Sequence, residues 1–157
     1  MDAVAPGVSC AAGAAGSNVA ARVYVRESAR VPALDLVDET FVVAAPAAVA
    51  ALVRDPDRWL GWWPDLRLTV FQDRGDAGVR WNVRGALTGS MEVWLEPYGD
   101  GVLLHHYVRC DRSDGRPVSL RERRRRQTHA KAIFWAVKDE LEGDRRPGEP
   151  RGSGDTP

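Results

Sequence analysis

The chain has 157 residues, of which 22 are basic and 22 acidic, so its formal net charge is zero. A neutral chain of this length fits one domain with ragged ends and lacks the long-range field that draws a protein to nucleic acid or to an anionic bilayer. Its two cysteines, Cys10 and Cys110, lie too far apart in sequence to mark a disulfide framework or a metal site, so no metal or other cofactor is implied and a reducing cytoplasm is the expected compartment.

Residues 1–33 read as a flexible extension: they are rich in Ala and Gly, carry Asp2 where a secretory signal needs a basic start, and are interrupted by Pro6, Gly7 and Gly13. Within them Val23–Val25 reads either as an extra edge strand or as part of an unstructured arm. The domain proper is expected over residues 34–143. Its first element is a strand, Leu36 to Ala45, rich in β-branched and aromatic residues and closed by Pro46, which suits a first helical turn. A short helix follows from Ala47 to Arg54, and Asp55-Pro56 restarts the chain as a second one carrying Trp59, Trp62 and Trp63 until Pro64 stops it.

Leu66, Leu68 and Val70 alternate with polar neighbours up to a turn at Arg74, Gly75 and Asp76, and Val79, Trp81 and Val83 alternate after it. Met91, Val93 and Leu95 form the next strand, and Gly99-Asp100 occupies the place of a two-residue hairpin turn before Val102, Leu104, His106 and Val108. That turn sets Val93 opposite His106 and Met91 opposite Val108 on the apolar face, with Trp94 opposite His105 and Glu92 opposite Tyr107 on the other. A tight turn at Gly85-Ala86 would flip Trp81 relative to Met91, so a bulge at Gly85 or Gly89 is expected.

Pro117 ends the strands, Ser119 with Glu122 makes a capping box, and Gly143 stops the helix that follows. At ~1.5 Å per residue this helix spans roughly 35 Å, enough to cross a small sheet. Its apolar stripe is Leu120, Ala130, Phe134, Val137 and Leu141, with Ile133 on the flank. Arg123 and Gln127 interrupt the stripe, so the N-terminal half of the helix is expected to line an opening. Residues 144–157, dense in Gly, Pro and charge, read as a disordered tail, and no run approaches the ~18 apolar residues of a membrane span.

The segment FVVAAPAAVAALVRDPDRWLGWW, Phe41 to Trp63, resembles the opening of the START-related polyketide cyclase/dehydrase superfamily (SRPBCC), especially its small single-domain actinobacterial members. The resemblance covers about Leu36 to Gly143. It implies the α+β helix-grip fold of the major birch-pollen allergen, in which a curved antiparallel sheet wraps one long C-terminal helix around a ligand cavity. Members bind lipids, sterols, polyketides or plant hormones, and others are cyclases or chaperone cofactors.

With the apolar strand faces concave, the cavity is expected to be lined by Phe41, Trp81, Val83, Met91 and Val93, and by Leu104, His106, Val108 and Phe134. Glu39, sharing the parity of Phe41, and Arg123 and Gln127 at the mouth are its expected polar groups. The first reading is a binder of a hydrophobic, lipid- or polyketide-like small molecule. The second is a cyclase or dehydratase with His106 as general acid or base, although neither His106 nor His105 shows an orienting partner in the sequence. A third is a protein-interaction module built on Arg121–Arg126, five arginines at the positive end of the helix dipole, for which nucleic acid is the weakest candidate partner; the alternative for this run is pairing within the chain with Asp65, Asp111, Asp114 or the sheet-edge glutamates. Trp94 beside His105 and Tyr107 makes an outer aromatic patch that suits a homodimer interface or the packing of the N-terminal arm.

Overall fold

Period-two alternation builds five antiparallel strands: β1 (Leu34–Val42), β2 (Leu66–Asp73), β3 (Gly78–Gly85), β4 (Leu87–Tyr98) and β5 (Gly101–Arg112). They form one curved sheet in the order β1-β5-β4-β3-β2 in a computed structural model that describes residues 31–150. The expected arm, including Val23–Val25, lies outside the described residues up to residue 30, as does the tail after residue 150. Two short helices, α1 (Pro46–Arg54) and α2 (Pro56–Trp62), join β1 to β2, and the long α3 (Leu120–Glu142) follows β5. This is the helix-grip arrangement expected from the order of elements.

Local chemistry sets the boundaries. Pro46 and Pro56 start α1 and α2, and the Asp55 side chain accepts from the Asp57 amide. Ser119 Oγ accepts from the Glu122 amide at 3.1 Å, while the Glu122 carboxylate turns to Arg112 at 2.7 Å, so only half of the capping box forms. Gly143, at φ +53°, ends α3.

The Gly99-Asp100 turn gives the expected pairing: Met91 opposite Val108, Glu92 opposite Tyr107, Val93 opposite His106 and Trp94 opposite His105. The bulge expected at Gly85 or Gly89 is absent. Instead β3 and β4 pair without a slip from Gly78–Trp94 to Val83–Gly89, which leaves residues 84–88 as a wide connection. Gly85 turns away to pair with Leu66 of β2 and Leu87 to pair with Arg112 of β5, so Trp81 faces Met91 without any extra residue. The sheet's bulge lies at Phe71 of the edge strand β2, between Val70 and Gln72. Gly78, at φ +109°, admits no side chain, because a Cβ there would stand 2.1 Å from the Val93 carbonyl oxygen.

The core sits between the sheet and α3. Trp81 and Phe134 are fully buried, and aromatics of that size each bring several kcal/mol of burial at ~25 cal/mol per Å². Of α3, only Ala130, Ile133, Phe134 and Val137 are buried, all from the middle of the helix onward. Leu120, expected on the stripe, is 75% exposed. The first turns are held by polar contacts, so nothing apolar covers it.

Candidate functional site

The face of β1 that meets α3 is decided by its register with β5. Leu36 stands opposite Val108 and Thr40 opposite Leu104, so Leu34, Leu36, Thr40 and Val42 are buried. Glu39 and Phe41 therefore lie on the outer face, a correction to the parity expected from the apolar run Phe41–Val43. Phe41 packs edge-on to Tyr98 with ring centroids 6.3 Å apart, and Glu39 Oε1 lies 3.0 Å from His105 Nδ1. Trp81, Val83, Met91, Val93, Leu104, His106, Val108 and Phe134 are buried where the alternation puts them, beneath the helix.

The expected hollow is largely filled. Trp63 is almost completely buried and stacks on His106 at 6.1 Å and 20°, while Phe134 crosses the same imidazole at 4.8 Å. Trp59 and Trp63 close on Trp81 at 5.5 and 6.1 Å. What remains is a cavity of about 20 Å³, room for roughly one water molecule. Its walls are Leu34, Leu36, Trp63, Leu66, Leu87, Met91, His106, Val108, Arg126, His129 and Ala130. It lies under the N-terminal half of α3, where the sequence places an opening, but other residues line it. Arg123 donates to the Asp35 and Ala33 carbonyls at 3.0 and 3.4 Å, and Gln127 is exposed. The cation at the wall is Arg126, paired through both guanidinium nitrogens with Asp65. Asp65, an acid directly after Trp63-Pro64 and close to the sheet end, was the sequence signal for it.

His106 is the polar group of this site. Its Nε2 is buried with no hydrogen-bond partner, and burial lowers its pKa from 6.5 to about 3, so the ring is neutral. The Trp81 indole N–H is likewise buried and unpaired. Buried polar atoms left so cost about 1 to 3 kcal/mol each and call for an explanation. Cys110 gives none, since burial pushes its thiol up to about 12 and its Sγ sits 3.5 Å from the Ser90 carbonyl oxygen.

The histidine with orienting partners is His105, on the outer face. Glu39 and Glu96 lie 3.0 and 3.1 Å from its two ring nitrogens, and Trp94 stacks on it at 4.5 Å and 18°. Trp94 is therefore half covered and does not form a free patch. Nearby, an open groove of about 230 Å³ runs between Phe71, Arg80, Ser90, Met91, Glu92, Tyr107 and Arg109. It is larger than the inner cavity, but charged side chains wall it, and Arg74 and Arg80 both pair with Glu92 at its floor. Among the described residues no cluster of three or more His, Cys, Asp or Glu is placed to hold a metal, and no helix is long and apolar enough to cross a membrane.

No protein-family model matches the chain, and no curated protein matches it. Solved structures do. A START superfamily protein from Mycobacterium smegmatis superposes with a TM-score of 0.55 at 11% identity, over 69% of this chain and 97% of that one. One chain of the Aha1 dimer from Colwellia psychrerythraea gives 0.53 at 13%, over 72% and 99%. The di-domain ARO/CYC StfQ of the steffimycin biosynthetic pathway gives 0.53 at 15%, over 83% of this chain and 62% of that one. At such identities the likeness shows the fold, which is that of START-type proteins.

Proposed function

We propose that the protein binds a small, mostly apolar molecule, lipid- or polyketide-like, between the concave sheet face and the N-terminal half of α3. The observation that carries this reading is the unpaired Nε2 of His106 on the wall of a mostly apolar cavity, whose other polar walls, Arg126 and His129, already bond to Asp65 and the Trp62 carbonyl. A carbonyl or hydroxyl on the ligand supplies its missing partner, and Trp63, Met91 and Val108 supply apolar contact. Ligand pockets run to about 300 Å³ or more, so the half-helix must lift. It is built to do so: no residue from 120 to 129 is buried, and the contacts that hold it are polar, namely the Arg126–Asp65 and Glu122–Arg112 pairs, the Arg123 bonds to carbonyls and the His129 contact to the Trp62 carbonyl. The Arg126 side chain is largely covered and Asp65 only partly so, which makes this pair the firmest of these contacts and its release the main cost of opening.

This geometry favours binding over cyclisation. A histidine held neutral has no imidazolium proton to give near pH 7, and no second titratable group stands within hydrogen-bonding reach of it. Native mass spectrometry of the purified chain, with titration of the fluorescent apolar probe ANS and competition by dodecanoic acid, tests the reading. Binding of one probe per chain, weakened by His106→Leu and untouched by Arg109→Ala in the outer groove, is expected. Probe binding that responds to Arg109→Ala alone would place the ligand outside the sheet and refute the proposal.

A further inference from the structure

The ion pairs of α3 divide its charged residues into two sets. Seven are satisfied within the chain: Glu122 by Arg112, Arg123 by the β1 carbonyls, Arg126 by Asp65, Lys131 by Asp38, Glu140 by Arg58, and Lys138 and Glu142 by each other, with Arg145 added. Four are not. Arg121, Arg124 and Asp139 make no ion pair or side-chain hydrogen bond among the described residues, and Arg125 contributes only a weak attraction to Asp65, already held by Arg126.

At 100° per residue Arg121, Arg125, Ala132 and Asp139 fall within about 20° of one line, opposite the buried Ala130, Phe134 and Val137. Thr128 and Ala136 flank that line, and Trp135, 58% exposed, borders it. The outer face of α3 is thus basic at one end, acidic at the other and narrow in the middle. It is also symmetric: Arg125 and Asp139 each lie seven residues, about 10 Å, from Ala132.

The geometry points to a second copy of this chain as the occupant of that face, packed antiparallel with the two-fold axis at Ala132. In that arrangement Ala132 meets its own copy, Thr128 meets the partner's Ala136, and Arg125 meets the partner's Asp139 twice, once on each side of the axis. The small residues allow close approach of the helices. The arginines at the positive end of their own helix come beside the negative end of the neighbouring one, which offsets the cost of placing them there. Trp135 covers the partner's Thr128. This assembly leaves the ligand seam untouched, since the seam lies on the opposite side of the helix.

Sedimentation velocity of the full chain over a range of concentrations and salt tests the assembly. A concentration-dependent dimer that weakens with salt is expected. Arg125→Glu and Asp139→Arg should each weaken it about tenfold or more, which is ~1.4 kcal/mol, and the double variant should recover most of the loss. All these positions are exposed, so circular dichroism should show the fold intact. In a Cys10→Ser background, Ala132→Cys should form a disulfide-linked dimer under mild oxidation, with buried Cys110 silent. A chain that stays monomeric, a dimer indifferent to Arg125→Glu, or a double variant that fails to recover overturns the assignment.

Discussion

His106 is squeezed between Trp63 and Phe134 with no bond to its Nε2, and that environment makes a measurable statement about pH. Its folded pKa, about 3, lies below its unfolded value near 6.5, so between these values the unfolded chain binds a proton that the folded chain refuses. Stability is therefore lost as pH falls below about 6.5, at up to ~1.4 kcal/mol per pH unit from this group. His106→Phe keeps the aromatic packing and removes the titrating ring. Urea denaturation should find the variant within about 1 kcal/mol of the parent at pH 7 and more stable by about 2 kcal/mol at pH 5. Parallel pH profiles would show that the imidazole is solvated after all. Cys110 gives a second residue-scale expectation: its buried thiol, pushed up to about 12, should react with a thiol reagent only on unfolding, so it should stay unlabelled in native buffer.

Among the elements, α3 behaves as two halves. Ile133, Phe134 and Val137 anchor the C-terminal half in the core, whereas polar contacts hold the N-terminal half. Asp65→Asn weakens the pair with the largely covered Arg126, and it should raise amide exchange over residues 120–129 and cost about 1 to 3 kcal/mol of stability. Ser119→Ala removes the accepting oxygen of the cap and should cost about 1 kcal/mol, with fraying confined to the same turns. Exchange that rises evenly along the whole helix in either variant would contradict this division. Gly78→Ala acts elsewhere: its Cβ meets the Val93 carbonyl oxygen and its backbone stands at φ +109°, so loss of the β3–β4 pairing, seen as a fall in folded yield, is expected.

At the scale of the whole molecule, what the sequence reveals follows the range of the interactions. Gly99-Asp100, Pro46, Asp55, Ser119 and Gly143 act on their own neighbours, and they specify the order of elements and the β4–β5 register before any tertiary contact forms. The facing of β1 is a long-range matter. Phe41 and Val43 look like a buried pair, but pairing with β5, sixty or more residues away, turns Leu34, Leu36 and Val42 inward. The volume of the hollow is longer-range still, because it is the difference between a sheet's curvature and the summed bulk of Trp63, Trp81, His106 and Phe134 from four separate parts of the chain. Arginines on one turn of helix likewise differ only in what faces them: Arg126 finds Asp65, while Arg125 looks outward.

The account stands on a ligand entering beneath the first half of α3, and methionine provides the direct probe. The chain has two methionines, Met1 and Met91, and Met91 lines the inner cavity. With methyl-¹³C methionine, titration of dodecanoic acid should shift the Met91 methyl resonance and give an intermolecular nuclear Overhauser effect to the acyl chain. A Met91 signal that stays in place while the fatty acid saturates the protein would contradict it.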